Sequence, residues 1–213
     1  MNKENFVSKV FKWFGLGLLV TFLTAYAVSI SETLLRLVFS GPTSMIIIIL
    51  ELVCAVWLSL RINKMSTTTA IFLYFGYTVL TGLTFSVIFL QYQLSSIIWI
   101  FLATSLIFTL FAYIGKSLHI DLRKFGIYLL IALLSIVVLT IVNIFLMNDT
   151  LDIVLCAISI VVFILYVAYD INKISNNMYG DSENFAILGA LNIYIDFINI
   201  FISLLRIFGK DRD

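Results

Sequence analysis

Long apolar runs separated by short polar segments follow one another along the whole chain. Crossing the hydrocarbon core of a bilayer takes about 20 mostly apolar residues, and a single span must be helical because only a helix satisfies its own backbone hydrogen bonds. Seven spans are predicted, at about residues 13–39, 45–60, 67–90, 97–115, 125–146, 153–171 and 186–208, after a short N-terminal segment, residues 1–12. We therefore predict an all-α integral membrane protein, a seven-transmembrane-helix bundle that forms a single domain over residues 1–213.

The composition places the chain outside the range of soluble domains. It is 62% hydrophobic and 12% charged, whereas soluble domains are about 45–50% apolar and about 25% charged. The net charge of +1 gives no field that attracts nucleic acid, and no loop carries a basic patch with interleaved aromatic residues. Nucleic-acid binding is therefore excluded, and the lipid bilayer is the predicted environment. Cys54 and Cys156 lie inside apolar runs, which is typical of packing groups rather than of disulfides.

Basic residues are unevenly distributed between the two sides of the predicted membrane topology. Lys and Arg in short loops are retained on the cytoplasmic side. One side carries nine of them: Lys3, Lys9, Lys12, Arg61, Lys64, Lys116, Arg123, Lys124 and Lys173. The other side carries four: Arg36, Arg206, Lys210 and Arg212. We predict a multi-pass protein of the cell membrane with its N-terminus in the cytoplasm and its C-terminus outside.

Few ionisable residues lie within the predicted spans, and each is a functional candidate because a charge in the hydrocarbon core costs at least about 2.5 kcal/mol. Asp196 lies near the middle of the last span, Asp170 near the inner end of the sixth, and Glu51 within the second. Glu51 is predicted as a cation ligand of an ion pathway or as a neutral, hydrogen-bonded acid. Arg61 ends the second span and is either an interfacial anchor or a countercharge for Asp170.

The last span carries a polar face. Asn192, Asp196, Asn199, Ser203 and Arg206 are spaced by 4, 3, 4 and 3 residues, which places them on one side of a helix. Amides and hydroxyls on such a face are typical of hydrogen bonds between membrane helices. A carboxylate is a costly residue for that purpose. Asp196 is therefore predicted to be functional, whereas Asn192, Asn199 and Ser203 either join helices or line an ion pathway.

The two aspartates meet only if the sixth and seventh helices are neighbours. Asp196 lies about ten residues, roughly 15 Å, from the predicted start of its helix, whereas Asp170 lies near the end of its own. Contact therefore requires a tilt or an early end of one helix. Two carboxylates that meet in a low dielectric cannot both ionise cheaply and tend to share a proton. Such a pair would sense pH.

Two segments of the chain resemble the signatures of the transmembrane Bax inhibitor motif family. They read Tyr-Val-Ala-Tyr-Asp-Ile-Asn-Lys-Ile at residues 166–174 and Ala-Leu-Asn-Ile-Tyr-Ile-Asp-Phe-Ile-Asn-Ile-Phe at residues 190–201. The tail Leu-Leu-Arg-Ile-Phe-Gly at residues 204–209 continues the resemblance. The length and the seven-span layout are also similar to those of the family across nearly the whole chain.

The resemblance implies a bundle whose last helix is central and a pH-sensitive calcium leak through the membrane. It implies that Asp170 and Asp196 form a hydrogen-bonded pair that gates the leak and contacts calcium transiently. It also implies that Arg61 acts as a latch, although bacterial relatives tend to carry a longer basic cluster at this position. Glu51 resembles an acidic residue in the second helix of these relatives. No cofactor is implied, because calcium is the transported ion and protons are the regulator.

Two other functions use the same pair of carboxylates. A proton-coupled cation exchanger would carry protons on Asp170 and Asp196 rather than gate a leak. An intramembrane aspartyl protease also places two aspartates on its sixth and seventh helices, the first of them after a tyrosine. Its second aspartate requires Gly-x-Gly-Asp, which residues 194–196, Tyr-Ile-Asp, do not match, and its Pro-Ala-Leu element is missing because the only proline is Pro42. We therefore predict that the protein is not an enzyme.

Overall fold

The computed structural model describes residues 3–118, 122–176 and 182–212. Within these ranges the chain forms helices and no strand, apart from an isolated bridge between Tyr92 and Asp211. The α-helices are α1 (Lys3–Ser29), α2 (Glu32–Phe39), α3 (Thr43–Arg61), α4 (Thr67–Phe85), α5 (Ile88–Gln91), α6 (Leu94–Ser117), α7 (Gly126–Leu146), α8 (Asp149–Ser175) and α9 (Glu183–Phe208). Two 3-10 helices occupy Ile62–Lys64 and Leu122–Phe125.

Seven helical stretches of the described chain are long and apolar enough to cross a membrane. They are Asn5–Ser29, Thr43–Lys64, Thr67–Gln91, Leu94–Ser117, Gly126–Leu146, Asp149–Ser175 and Glu183–Phe208. Large apolar side chains such as Phe145 and Trp99 are exposed along them, as expected for surfaces that face lipid rather than water. The predicted all-α membrane fold with seven spans is confirmed.

Several helix ends differ from the predicted ones. The first predicted span, 13–39, divides into α1 and α2, and α1 already begins at Lys3, so that most of the predicted N-terminal segment is helical. A cap explains the division, because the Ser31 hydroxyl accepts the backbone N–H of Leu34 at 3.4 Å and starts α2. The sixth span is longer than predicted, since α8 continues to Ser175 rather than ending at Ile171.

The chain divides into two compact units, and the prediction of a single domain stays a prediction. The described part of the first unit consists of residues 3–93, 182–194 and 211–212. Here α4 packs against both α1 and α3. Tyr74 of α4 is fully buried and donates its hydroxyl to the Trp13 carbonyl of α1 at 2.8 Å. A buried tyrosine thus finds the polar partner that its hydroxyl requires.

The described part of the second unit consists of residues 94–118, 122–176 and 195–210. Here α8 packs against α6 and α7. The approach of α6 to α8 depends on Gly115, because a Cβ atom at this position would lie 2.3 Å from the Ala168 carbonyl oxygen. The buried Asn172 side chain donates to the carbonyls of Gly115 and Leu118, at 3.1 and 2.9 Å, and so satisfies the end of α6.

The last helix, α9, is the most buried of the seven. In its most apolar stretch 67% of the residues are buried, against 17 to 39% in the other six helices. Residues 183–194 of α9 belong to the first unit and residues 195–208 to the second. The burial expected of the last helix is therefore observed, and most of its side chains lie away from lipid.

Candidate functional site

Asp170 lies in the last two turns of α8. The helix starts at an Asn148 cap, whose side chain accepts the N–H of Leu151 at 2.9 Å, and two acidic residues in its first turn complement the helix dipole. At the other end α8 runs to Ser175. Asp170 therefore lies more than one turn before the end of the helix, and it is only 5% exposed.

Lys173 supplies a countercharge to Asp170. Its Nζ lies 3.7 Å from the Asp170 Oδ1 and 4.9 Å from the centroid of the Tyr169 ring. The Lys173 side chain is 21% exposed, so this contact is screened less than a surface ion pair would be. The sequence reading had placed Lys173 in a loop. The spacing of three residues from Asp170 is the signal that would have found the pair.

Asp196 lies on the part of α9 that belongs to the second unit, and it is 3% exposed. Its carboxyl interacts electrostatically with Asp170 and with Lys173, so two carboxyl groups and one ammonium group form a single buried cluster. The Oδ2 atom of Asp196 is buried and finds no hydrogen-bond partner among the described residues. A buried acceptor without a donor favours a proton or a cation at this atom.

Aromatic side chains border this cluster. Tyr166 interacts electrostatically with both Asp170 and Asp196, and its ring lies 6.3 Å from that of Tyr169. Phe197, directly after Asp196, is buried and packs edge-on against two phenylalanines of α6. These apolar surroundings lower the local dielectric constant and strengthen the interactions among the three ionisable groups.

The other residues of the predicted polar face of α9 differ in environment. Ser203 is buried, whereas Asn192 and Asn199 are half-buried. The Asn199 amide donates to the Ile195 carbonyl of its own helix at 2.7 Å, so this amide group does not join two helices. Arg206, at the end of the face, is exposed.

Arg206 forms an ion pair with Asp152, in the first turn of α8. The sequence reading had placed Asp152 in the loop before the sixth span, so it missed this partner. The two side chains are 44% and 26% exposed. A partly exposed pair of this kind contributes about 0–1 kcal/mol to stability, and it joins the last turn of α9 to α8.

Arg61 and Glu51 lie on α3, in the first unit. Arg61 is exposed at the end of the helix, and its role as a latch stays a prediction. Glu51 is half-buried, and its Oε1 accepts a hydrogen bond from the Thr81 hydroxyl of α4 at 2.7 Å. This bond is compatible with both predictions for Glu51, so both stay predictions.

The carboxyl groups of Asp170 and Asp196 are the predicted contacts for calcium. Calcium prefers six to eight oxygen ligands in a permanent site. In the described ranges no three His, Cys, Asp or Glu side chains come together as metal ligands. The contact of these two carboxyl groups with calcium therefore stays a prediction.

The fold and the cluster define a multi-pass membrane protein with buried ionisable groups, and comparison with known proteins gives the family. Residues 3–213 match the family described as "Inhibitor of apoptosis-promoting Bax1". A protein of Borreliella burgdorferi is 36% identical over 99% of this chain and 94% of its own length. The inner membrane protein YbhL of Escherichia coli (strain K12) is 35% identical over 98% of this chain and 93% of its own.

A third relative, from Rickettsia prowazekii, is 31% identical over 99% of this chain and 91% of its own length. Similarity of this extent covers all seven spans. The chain belongs to the Bax inhibitor-1 family of membrane proteins. This result confirms the resemblance found in the segments around Asp170 and Asp196.

Proposed function

We propose that this protein is a pH-sensitive calcium leak channel of the cell membrane, gated by Asp170 and Asp196. The observation that supports this function most is the buried cluster of Asp170, Asp196 and Lys173. Ionisable groups buried in a membrane helix are typical of ion pathways and proton sensors. The proposed activity is transport rather than catalysis, so the carboxyl groups bind and release ions without any covalent step.

Protonation changes the charge of the cluster and hence its affinity for a cation. When both carboxyl groups are ionised, their two negative charges exceed the single positive charge of Lys173. A proton on either aspartate leaves the cluster neutral. A divalent cation that requires oxygen ligands is attracted by the first state and not by the second. Proton binding and calcium passage are therefore linked.

The same change can shift a conformational equilibrium. We assign Arg61 the role of a latch whose attraction to the aspartate pair falls when the pair binds a proton. A difference of one pKa unit between two states corresponds to about 1.4 kcal/mol, which changes their ratio tenfold. A single protonation therefore suffices to move the protein between a closed and an open arrangement.

Calcium flux through the purified protein in liposomes, measured over a series of pH values, tests the proposal. We expect flux that depends on pH in the wild type and a flattened dependence in Asp170→Asn and in Asp196→Asn. Asp149→Asn is the matched control, because this aspartate is exposed at the start of α8. Unchanged pH dependence in both buried variants would refute the assignment of the sensor.

The same preparation separates the leak from the two other functions of an aspartate pair. A leak passes calcium down its own gradient with or without a proton gradient. Flux that strictly requires an opposing proton gradient would favour an exchanger. Cleavage of a membrane peptide by the pure protein, abolished by either aspartate variant, would favour a protease.

A further inference from the structure

A second group of polar side chains, three buried and one half-buried, lies in the first unit and takes no part in the proposed gate. It consists of Glu51 of α3, Thr81 of α4, Tyr194 of α9 and Thr21 of α1. Tyr194 is fully buried, and Thr81 and Thr21 are 1% and 4% exposed. We call Thr81, Tyr194 and Thr21 the hydroxyl chain, which begins beside Glu51. Each polar group in such surroundings needs a partner, because a buried donor or acceptor left unpaired costs about 1–3 kcal/mol.

The number of hydroxyl hydrogens determines which group is the donor in the bond between Thr21 and Tyr194. The Thr21 hydroxyl donates its only hydrogen to the Thr78 carbonyl oxygen at 2.9 Å. The Thr21 and Tyr194 oxygens lie 2.6 Å apart, so Tyr194 is the donor in that bond. The Tyr194 oxygen is then free to accept, and the Thr81 hydroxyl lies within hydrogen-bond reach of it.

Thr81 has one hydroxyl hydrogen and several acceptors around it. The Glu51 Oε1 lies at 2.7 Å and the Tyr77 carbonyl oxygen at 3.0 Å, in addition to Tyr194. An ionised Glu51 takes this hydrogen, since bonds to a charged acceptor are the stronger ones. A protonated Glu51 instead donates to Thr81. The Thr81 hydrogen then remains for the Tyr77 carbonyl oxygen and the Tyr194 oxygen, and donation to Tyr194 completes an unbroken series of donors that ends at the Thr78 carbonyl.

Glu51 lacks a cation that would stabilise its charge. In the described part of the chain it forms no ion pair. The titratable groups of the packed elements are Cys54 and Arg61 of α3, Tyr74 and Tyr77 of α4, Tyr194 of α9, Lys64 of the adjoining 3-10 helix, and Glu32 and Arg36 of α2. Glu32 and Arg36 pair with each other at 3.5 Å. An unpaired carboxyl in a span is most cheaply neutralised by a proton.

We propose that Glu51 is a second proton-binding site, whose proton is held by the hydroxyl chain that runs through Thr81 and Tyr194 to Thr21. The Thr84 hydroxyl also interacts with Glu51. Tyr194 connects the site to α9, the helix that carries Asp196 two residues later. This site stands independently of calcium transport, because it requires only a proton and the residues of the first unit.

Infrared difference spectroscopy of the purified protein in lipid, recorded over a pH series, tests this site directly. A protonated carboxyl gives a C=O stretching band that an ionised one lacks. We expect such a band that disappears in Glu51→Gln and persists in Asp170→Asn and Asp196→Asn. A band unaffected by Glu51→Gln, or the absence of any band apart from those of the two aspartates, would overturn the proposal and leave the aspartate gate untouched.

Two further variants separate the hydroxyl chain from a carboxyl that is merely buried. Tyr194→Phe removes one of the two acceptors that remain for the Thr81 hydroxyl when Glu51 is protonated, so we expect proton binding at Glu51 to weaken, by up to about fivefold, the effect of one hydrogen bond. Tyr113→Phe, at an exposed tyrosine of α6, is the matched control. If the Glu51 band has the same pH dependence in both tyrosine variants, the role of the hydroxyl chain is contradicted.

Thr81→Val removes both the donor and the acceptor beside Glu51. We expect it to shift the frequency and the titration of the Glu51 band. Thr104→Val is the control, because Thr104 of α6 is fully buried and bonds the carbonyl four residues before it, as Thr81 does. A Glu51 band that responds equally to the two valine substitutions would show that Thr81 has no specific role.

Discussion

The charge state of the aspartate cluster depends on a single lysine one turn beyond Asp170. Lys173 reaches the Asp170 carboxyl at 3.7 Å and stacks over Tyr169. An opposite charge at this distance stabilises the ionised form of a carboxyl group. It keeps a negative charge available in a helix where a neutral acid would otherwise be preferred. In the proposed gate, Lys173 therefore helps to set the pH at which the aspartate pair takes up a proton.

Replacing Lys173 by methionine should move the pH response of calcium flux. Without the ammonium group the ionised pair is less stable, so protons bind more tightly and the midpoint moves to higher pH by roughly one unit. Lys173→Arg keeps the charge and should keep the midpoint near that of the wild type. Flux in liposomes over a pH series measures both. Lys116→Met, at an exposed lysine of α6, is the control, and an equal shift there would argue against a local effect.

The residues of the candidate sites differ in how clearly the sequence indicates them. Asp170 and Asp196 stand out because a carboxyl group in an apolar span is costly and therefore rare. Lys173 was assigned to a loop, since an apolar pattern ends before the helix does. The hydroxyl chain gave no signal at all. Hydroxyls are common in membrane helices, and the bond from Thr21 to Tyr194 joins residues 173 positions apart.

The apolar pattern predicts correctly that each membrane-spanning helix exists. It does not predict the residues at which each helix begins and ends. All seven spans are predicted because each is long and predominantly apolar. The break between α1 and α2 is not predicted, because the few polar residues around it, such as Ser29, Ser31 and Glu32, are too short an interruption to end a span by hydropathy alone. The cap residue Ser31 is the local signal that marks it. Helix ends depend on such caps and on tertiary bonds, which hydropathy does not contain.

The contact between α6 and α8 depends on the absence of a side chain at Gly115. Close approach of two backbones through a small residue is a principal source of helix association in membranes. Here a Cβ atom would meet backbone atoms of Ala168, which cannot turn aside as a flexible side chain could. Since α8 carries Asp170, Tyr169 and Lys173, this contact also positions the aspartate cluster.

Gly115→Ala should destabilise the protein, because the two helices must separate to admit the methyl group. Overpacking of this kind costs about 1–3 kcal/mol, and the thermal denaturation of the detergent-solubilised protein should shift to lower temperature. Gly76→Ala in α4 is the matched control, since nothing lies within 4 Å of its added Cβ. We expect that control to be neutral or stabilising, because alanine favours a helix over glycine by up to about 1 kcal/mol. Equal losses in both would contradict the role of close packing.

At the scale of the whole molecule, the distribution of basic residues predicts which side of the membrane each terminus lies on. Helix packing alone does not predict this orientation. The nine basic residues assigned to one side include Lys9, which pairs with Glu183 at 2.6 Å at the start of α9. Lys173 lies on α8 rather than in the following loop but remains near the end of the helix on that side. The imbalance between the two sides is therefore unchanged by the structure, and the orientation stays a prediction.

Labelling of single cysteines on intact cells tests this orientation. Cys54 and Cys156 would first be replaced by alanine, and one cysteine introduced at a time. We expect a maleimide that cannot cross membranes to label Met147→Cys, because this side chain is 86% exposed on the predicted outer side. Asn63→Cys, exposed beside Arg61, should react only after the membrane is opened, since basic residues hold that end in the cytoplasm. The reverse pattern would place the basic end outside and refute the charge-based orientation.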